Sequence, residues 1–339
     1  MAKNWTAPEL LALSSSYWPA CALQAAISLD VFTTIENMAD DGQSVGAFSL
    51  ADKLGCDRRA FSMLVTALLS LEFLDGDLDA LILPKSAKAY LSRNSEQYVG
   101  FIIKHHSHIM PAWTRLAEAV ATGTRKRDNS SSDTEDEAER EAFLMGMFNV
   151  AMSQAEKVAK TLNLKGRNRL LDLGGGPGTY AVFFCRENPG LCATIFDRPT
   201  SEKFARGVVK RFGLDEQVGF IGGDFLEDDL PKGYDAIWIS QILHGENPED
   251  ATKLVVKAGK SLNPGGMIIL QEFAVDNDRR GPKHPALFGL NMLVGTSGGQ
   301  AYTWYEMEAM LREAGAISVS RLDMELPMGC GILIGQFPG

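Results

Sequence analysis

Residues 170–180 read LLDLGGGPGTY, and that stretch decides the fold. A short apolar strand pattern runs straight into Gly174, Gly175, Gly176, Pro177 and Gly178. Glycines at such a place let a ligand approach the backbone, and the helix that follows offers free N–H groups. Taken alone, the run reads either as a tight turn or as a ligand cradle. Gly176, Gly178 and Ala181 also satisfy the loose G-x-G-x-x-G/A dinucleotide spacing. Downstream, β-rich runs fall at 193–197 (ATIFD), 218–222 (VGFIG), 235–240 (DAIWIS) and 267–273 (MIILQEF). Helical patterns lie between them near 178–187, 200–212, 248–262 and 284–295. Alternation of this kind predicts an α/β fold with a parallel, doubly wound sheet. A helix follows at 304–314, with Thr303 and Glu306 as a capping box. The last two runs, AISVSRLD (316–323) and GILIGQF (331–337), suit an antiparallel hairpin at the sheet edge.

The acids around these strands add specificity. Asp197 ends the second strand, where a carboxylate can accept both hydroxyls of a ribose. Asp224, in GDF (223–225), ends the third, where it can meet an adenine amino group while Phe225 packs on the ring. Asp172 precedes the glycines. Ligands of such sheets bind at the carboxyl ends of the strands, so these positions are expected to converge. Each acid alone reads equally well as a helix cap; together they favour an adenosine ligand.

The 339 residues suit about two domains. With 45% hydrophobic residues, the chain can fill a sizeable core without a disulfide or metal staple. A net charge of −10 argues against a general nucleic-acid or membrane-surface binder, which needs a basic face. The five cysteines, Cys21, Cys56, Cys185, Cys192 and Cys330, form no CxxC pair and no zinc spacing. No signal peptide and no membrane-spanning apolar run are visible, so a cytoplasmic protein is expected.

The first half reads as helical. Thr6 and Glu9 form a capping box with proline in the first turn. Leu23, Ala26, Ile27, Leu29, Phe32 and Ile35 repeat at helical spacing over 20–35. A short helix at 49–54 is broken by Gly55, and a longer one spans 58–71. FLDGDLDALILP (73–84) looks like a hairpin turning at Gly76 and Asp77. Helix, helix and two-stranded ribbon make the plan of a winged helix. Residues 96–122 are helical with a kink at Pro111. The segment 124–141, with seven acids and four bases, reads as a solvated loop merging into a helix that runs to about residue 164.

The arrangement LLDLGGGPGTY…IFDRP…GDF…DAIWIS resembles the class I S-adenosylmethionine-dependent methyltransferases, and LNPGG (262–266) is similar to their turn before the fifth strand. The winged-helix front end narrows the resemblance to the small-molecule O-methyltransferases of plant phenolic, hydroxyindole and bacterial polyketide type. It covers nearly the whole chain and is most specific from about 170 to 308. It implies a Rossmann-like doubly wound methyltransferase sheet behind an N-terminal all-α winged-helix domain. That front domain would exchange helices in a homodimer and bind no nucleic acid or membrane. The domains expected are 1–122 (winged-helix dimerisation), 123–164 (acidic loop and connecting helix) and 165–339 (S-adenosyl-L-methionine binding).

Bottom-up, His244 lies past the carboxyl end of the fourth strand. Asn247-Pro248 after it looks like a helix cap and first helical position. A side chain there projects toward a ligand, although a lone histidine is often merely structural. The resemblance makes His244 the general base, with Glu272 as its flanking carboxylate. It places Asp172, Gly174, Gly175, Gly176, Asp197, Asp224, Phe225 and Ser240 around the cofactor, which it implies is S-adenosyl-L-methionine. The family's Asp-Trp after the histidine is Gly245-Glu246 here, which puts the local pocket shape in doubt. A second glutamate of the plant members reads as Ala301, so either the histidine is held less firmly or the chemistry leans more on proximity. By the same resemblance, Leu144, Phe148 and Met152 line a pocket for a small aromatic acceptor, with Asn291, Met292 and Thr296 as a second wall. Apolar residues at helical spacing equally suit plain core packing. His105 and His108 share a helix face without a metal-binding cluster, Trp113 lies near the pocket edge, and His284 reads as surface.

Two alternatives stand beside this reading. One is a C-methyltransferase, or a relative using the same cofactor differently. The other is a ligand-sensing winged-helix regulator. Its groove-facing helix, RRAFSMLVTALLSL (58–71), carries only Arg58 and Arg59 as bases and is otherwise too apolar for phosphate and base contacts.

Overall fold

A computed structural model describes residues 3–126 and 137–339. Its contacts divide the chain into two compact units, Met1–His108 and Ile109–Gly339. The boundaries expected at 122 and 164 both fall inside the second unit. The reason is packing: Phe148, Ala155 and Val158 share a core with Leu170 and Trp238 of the sheet. Likewise Ala119 clusters with Val294. Most of the acidic segment, 127–136, lies outside the described residues.

In the first unit, Glu9 accepts from both the Thr6 N–H and its hydroxyl at 2.9 Å, starting helix Ala7–Ser14. The apolar stripe over 20–35 is not one helix. It breaks at Asp30, which adopts φ 57°, between helices Trp18–Ser28 and Val31–Asp40. The break rotates Ile27, Phe32 and Ile35 into one core with Leu50, Val65 and Leu68. Helix Ala47–Leu54 ends at Gly55 (φ 67°), and Asp57 caps helix Arg58–Ser70 through the Ala60 N–H. Strands β1 (Asp75–Gly76) and β2 (Leu81–Ile82) pair antiparallel. Gly76 is thus a strand residue rather than the turn. The turn lies one residue later, where the Asp77 carboxylate accepts from the N–H groups of Asp79 and Ala80. Pro111 lies inside helix Gly100–Trp113; the chain breaks after Trp113, before helix Leu116–Thr122.

In the second unit, helices Glu137–Met152 and Ala155–Thr161 precede a seven-stranded sheet. Its strands are β3 (Arg169–Leu173), β4 (Cys192–Asp197), β5 (Val218–Gly222), β6 (Tyr234–Ser240), β7 (Leu262–Phe273), β8 (Ser318–Arg321) and β9 (Cys330–Gln336). The spatial order is β5-β4-β3-β6-β7-β9-β8. The first five run parallel, and β9 and β8 close the edge antiparallel, as the alternation and the final hairpin suggest. Residues 262–266 are absorbed as a bulge: Tyr234 pairs with Leu262, and then Ala236 with Met267. Strand alternation sorts the two faces. Leu170, Ile195, Trp238 and Ile269 face one layer of helices; Leu171, Phe196, Ile237 and Leu270 face the other. Among the described residues no single helix is long and apolar enough to cross a membrane.

Candidate active site

Strand β3 ends at Leu173, and the chain turns through Gly174 (φ 70°), Gly176 (φ 50°) and Gly178 (φ 73°), a backbone that other residues adopt only under strain. Space enforces the same choice. A Cβ on Gly174 would sit 2.4 Å from Ile242, and one on Gly175 would sit 2.6 Å from the Asp172 carboxyl carbon. The loop is pinned to β4, because the Gly176 N–H donates to Asp197 Oδ2 at 2.7 Å. Asp197 Oδ1 accepts from Ser201 Oγ and from the Arg198 N–H, each at 2.7 Å. Burial pushes the Asp197 pKa up against these three donors. Asp172 is buried, and its Oδ2 accepts from the Ala181 N–H at 3.3 Å. Burial raises its pKa to about 7, the Ala181 N–H works the other way, and the Asp197 charge adds to the rise.

Above this loop lies a cavity of about 360 Å³, within the range of small-molecule sites. Asp172, Gly174, Gly175, Gly176, Asp197, Phe225 and Ser240 line it together. Asp224 does not. Its Oδ1 accepts from the Leu226 N–H at 2.9 Å, the cap-like role left open for it. The cavity roof comes from helix Glu137–Met152, through Phe143, Leu144, Met147 and Val150. Phe148 and Met152 instead belong to the core between that helix and the sheet. They share the i, i+4, i+8 row with Leu144, but only Leu144 reaches the cavity. Two further lining side chains, Gln154 and Thr179, bury an oxygen that has no hydrogen-bond partner.

The chain leaves β6 through Gln241, which takes a left-handed φ of 60°, and enters a single tight turn, Leu243–Gly245. Leu243 is fully buried and anchors the turn. His244 Nδ1 contacts Glu272 Oε2 at 2.7 Å. Glu272 stands near the end of the neighbouring strand β7 and is only 2% exposed. The His244 carbonyl accepts from the Gln300 N–H at 2.9 Å, and Tyr302 Oη donates to the Glu246 carbonyl at 2.7 Å. The segment carrying Ala301 therefore holds the turn's backbone carbonyls, through the Gln300 N–H and the Tyr302 hydroxyl, rather than the histidine ring through a second carboxylate. Burial and the nearby Asp250 and Asp224 push the Glu246 carboxyl upward. Asn247 caps helix Pro248–Gly259 by accepting from the Glu249 and Asp250 N–H groups.

The Phe288 ring meets His244 edge-on at 4.7 Å and lies 4.6 Å from Phe273. His284, expected at the surface, is exposed but packs on Phe273 at 4.9 Å, and burial lowers its pKa. Phe288 escaped the sequence reading, although His284 and Phe288 stand one turn apart on helix Lys283–Gly295. On the same helix, Asn291 Oδ1 accepts from Trp113 Nε1 at 2.8 Å, and Met292 is buried. Thr296 Oγ1 accepts from the Gly299 N–H. None of these three borders the cavity over the glycines. Among the described residues no group of three or more metal-ligating side chains exists, His105 and His108 included.

A family model described as an O-methyltransferase domain matches residues 113–316. The chain is 31% identical over 333 residues to 3-hydroxy-5-methyl-1-naphthoate 3-O-methyltransferase of Streptomyces sahachiroi, covering 97% of this chain and 95% of that one. It is 30% identical over 316 residues to the tetracenomycin polyketide synthesis 8-O-methyl transferase TcmO of Streptomyces glaucescens, covering 92% and 91%. The solved structure of PigF with SAH matches with a TM-score of 0.88 at 25% identity, covering 98% of this chain and all of that one. Sheet, glycine loop and these likenesses define the class, an S-adenosylmethionine-dependent methyltransferase. Within it, the chain belongs to the O-methyltransferase domain family.

Proposed function

We propose that this protein methylates a hydroxyl of a small aromatic molecule, with His244 as general base and Glu272 as its positioning residue. The observation that carries the proposal is the 2.7 Å contact between His244 Nδ1 and a buried carboxylate. With Nδ1–H donating to Glu272, Nε2 keeps a lone pair for the proton of the acceptor hydroxyl. Glu272 then steadies the imidazolium, and the Phe288 edge limits rotation of the ring. Asp197 and Phe225 are suited to hold the adenosine part of the cofactor, on the wall formed by Gly174, Gly175, Gly176 and Ser240. When bound, S-adenosylmethionine supplies a methyl group already activated on a sulfonium. Proximity of acceptor oxygen and methyl carbon can then account for much of the rate.

An aromatic acceptor is supported by the rings of Phe288, Phe273 and His284 beside His244, and by the relative named for a hydroxynaphthoate. The test is incubation with isotopically labelled cofactor and a panel of hydroxynaphthoates, followed by product mass spectrometry. A labelled methyl ether is expected. A methyl on ring carbon would replace O-methylation by the carbon-acceptor alternative.

The same proposal includes a cytoplasmic homodimer with exchanged N-terminal helices. Helix Ala7–Ser14 buries no residue, and Leu11 and Trp18 are 70% and 64% exposed, a costly arrangement for an isolated chain. Light scattering at micromolar concentration should report a dimer; a monomer would remove this part.

A further inference from the structure

Two polar atoms on the cavity wall are buried without a hydrogen-bond partner: Gln154 Oε1 and Thr179 Oγ1. Gln154 is 6% exposed and Thr179 is 2% exposed. Gln154 sits where helix Glu137–Met152 gives way to helix Ala155–Thr161. Thr179 is the first residue of helix Thr179–Glu187, directly after the glycine loop. Both line the cavity with Asp172 and the three glycines. An unsatisfied buried polar group costs about 1–3 kcal/mol, so two lining one cavity need a ligand-side explanation.

The ligand chemistry follows from what surrounds them. Asp197 and Phe225 are assigned to the adenosine end in the reading above, on which this inference rests. Besides the adenosine end, the lining offers acceptors, Gln154 Oε1 and the Asp172 carboxylate, and donors, among them the Thr179 hydroxyl at the positive end of a helix and the Arg140 and Arg198 guanidiniums. Acceptors and donors lining one cavity match a zwitterion. We infer that Gln154 and Thr179 hold the α-amino-acid end of the cofactor, Gln154 Oε1 accepting from its ammonium and the Thr179 hydroxyl donating to its carboxylate. They make the site selective for the whole cofactor over its adenosine fragment.

The test uses two ligands, S-adenosylhomocysteine and 5′-methylthioadenosine, which keeps the adenosine and thioether but lacks the amino acid. Calorimetric titration of Gln154→Leu and Thr179→Val should show S-adenosylhomocysteine bound about 5- to 100-fold more weakly in each. Affinity for 5′-methylthioadenosine should stay within about twofold of wild type, which also shows that the variants fold. The ligand-free variants should melt no lower than wild type, since each removes an unpaired buried group and keeps its shape. Their melting temperature should rise less on adding S-adenosylhomocysteine. Unchanged S-adenosylhomocysteine affinity, or an equal loss for both ligands, overturns this inference alone. A wild-type protein that binds neither ligand overturns the cofactor reading and this inference with it.

Discussion

After β3 the chain turns through three glycines with positive φ; after β6, the adjacent strand, it turns through Gln241 at φ 60° and then His244. The first loop gives up side chains. It presents backbone to the cavity and ties its own N–H to Asp197. The second keeps side chains and secures its backbone from outside, through Gln300 and Tyr302. Binding by close approach needs the absence of Cβ atoms; proton transfer needs a side chain held at one atom. On the proposed function, two neighbouring strand ends would meet different chemical demands with opposite residue choices.

Removing His244 should break this comparison most sharply. His244→Ala is expected to lower kcat by about 10²- to 10⁴-fold, the usual range for a general base. Affinity for S-adenosylhomocysteine by calorimetry should stay near wild type, because His244 does not line the cofactor cavity. The converse comes from Gly175→Ala. Its Cβ would press on the Asp172 carboxyl, so cofactor affinity should fall by about 5- to 150-fold if the 1–3 kcal/mol of such overpacking is felt in the bound state. If both variants changed affinity alike, the division of labour between the loops would be wrong.

Glu272→Gln sharpens the second loop. Glutamine keeps a hydrogen-bonding group near His244 Nδ1 but not the charge that steadies the imidazolium. A loss of about 10-fold in kcat at unchanged KM is expected, smaller than the loss from removing the base itself. A rise in KM without loss of kcat would assign Glu272 to packing instead.

The smallest effect concerns the first loop and pH. The Asp172 pKa is raised from 3.8 to about 7. Between those values the folded protein keeps a proton that the unfolded chain has released. The stability that Asp172 contributes is therefore greatest at the acid end of that window, falls as pH rises toward 7, and levels off above it. In thermal melts between pH 5 and 8, Asp172→Asn should reduce that slope. A slope identical to wild type would mean that Asp172 ionises normally.

Much of this was readable in the chain. The five parallel strands announced themselves because both faces of each are covered, leaving short apolar runs with turn residues between them. Three residues show the limit. Leu144, Phe148 and Met152 share a helical row, yet one lines the cavity and two pack in the core. Periodicity defines a helix face but not what lies opposite each turn of it. The left-handed break at Asp30 was equally hidden, because the apolar spacing runs smoothly across it.

By itself, the sequence determined the sheet and the glycine loop, which are local patterns; the pairing of a histidine after one strand with a glutamate near the end of the next came only with the family resemblance. Only the tertiary structure decided that Phe288 faces His244, that the Asp224 carboxylate accepts from the Leu226 N–H and does not line the cavity, and that Gln154 and Thr179 bury unpartnered oxygens. Those facts depend on which atoms of distant segments come within a few ångströms, and no residue spacing encodes that distance.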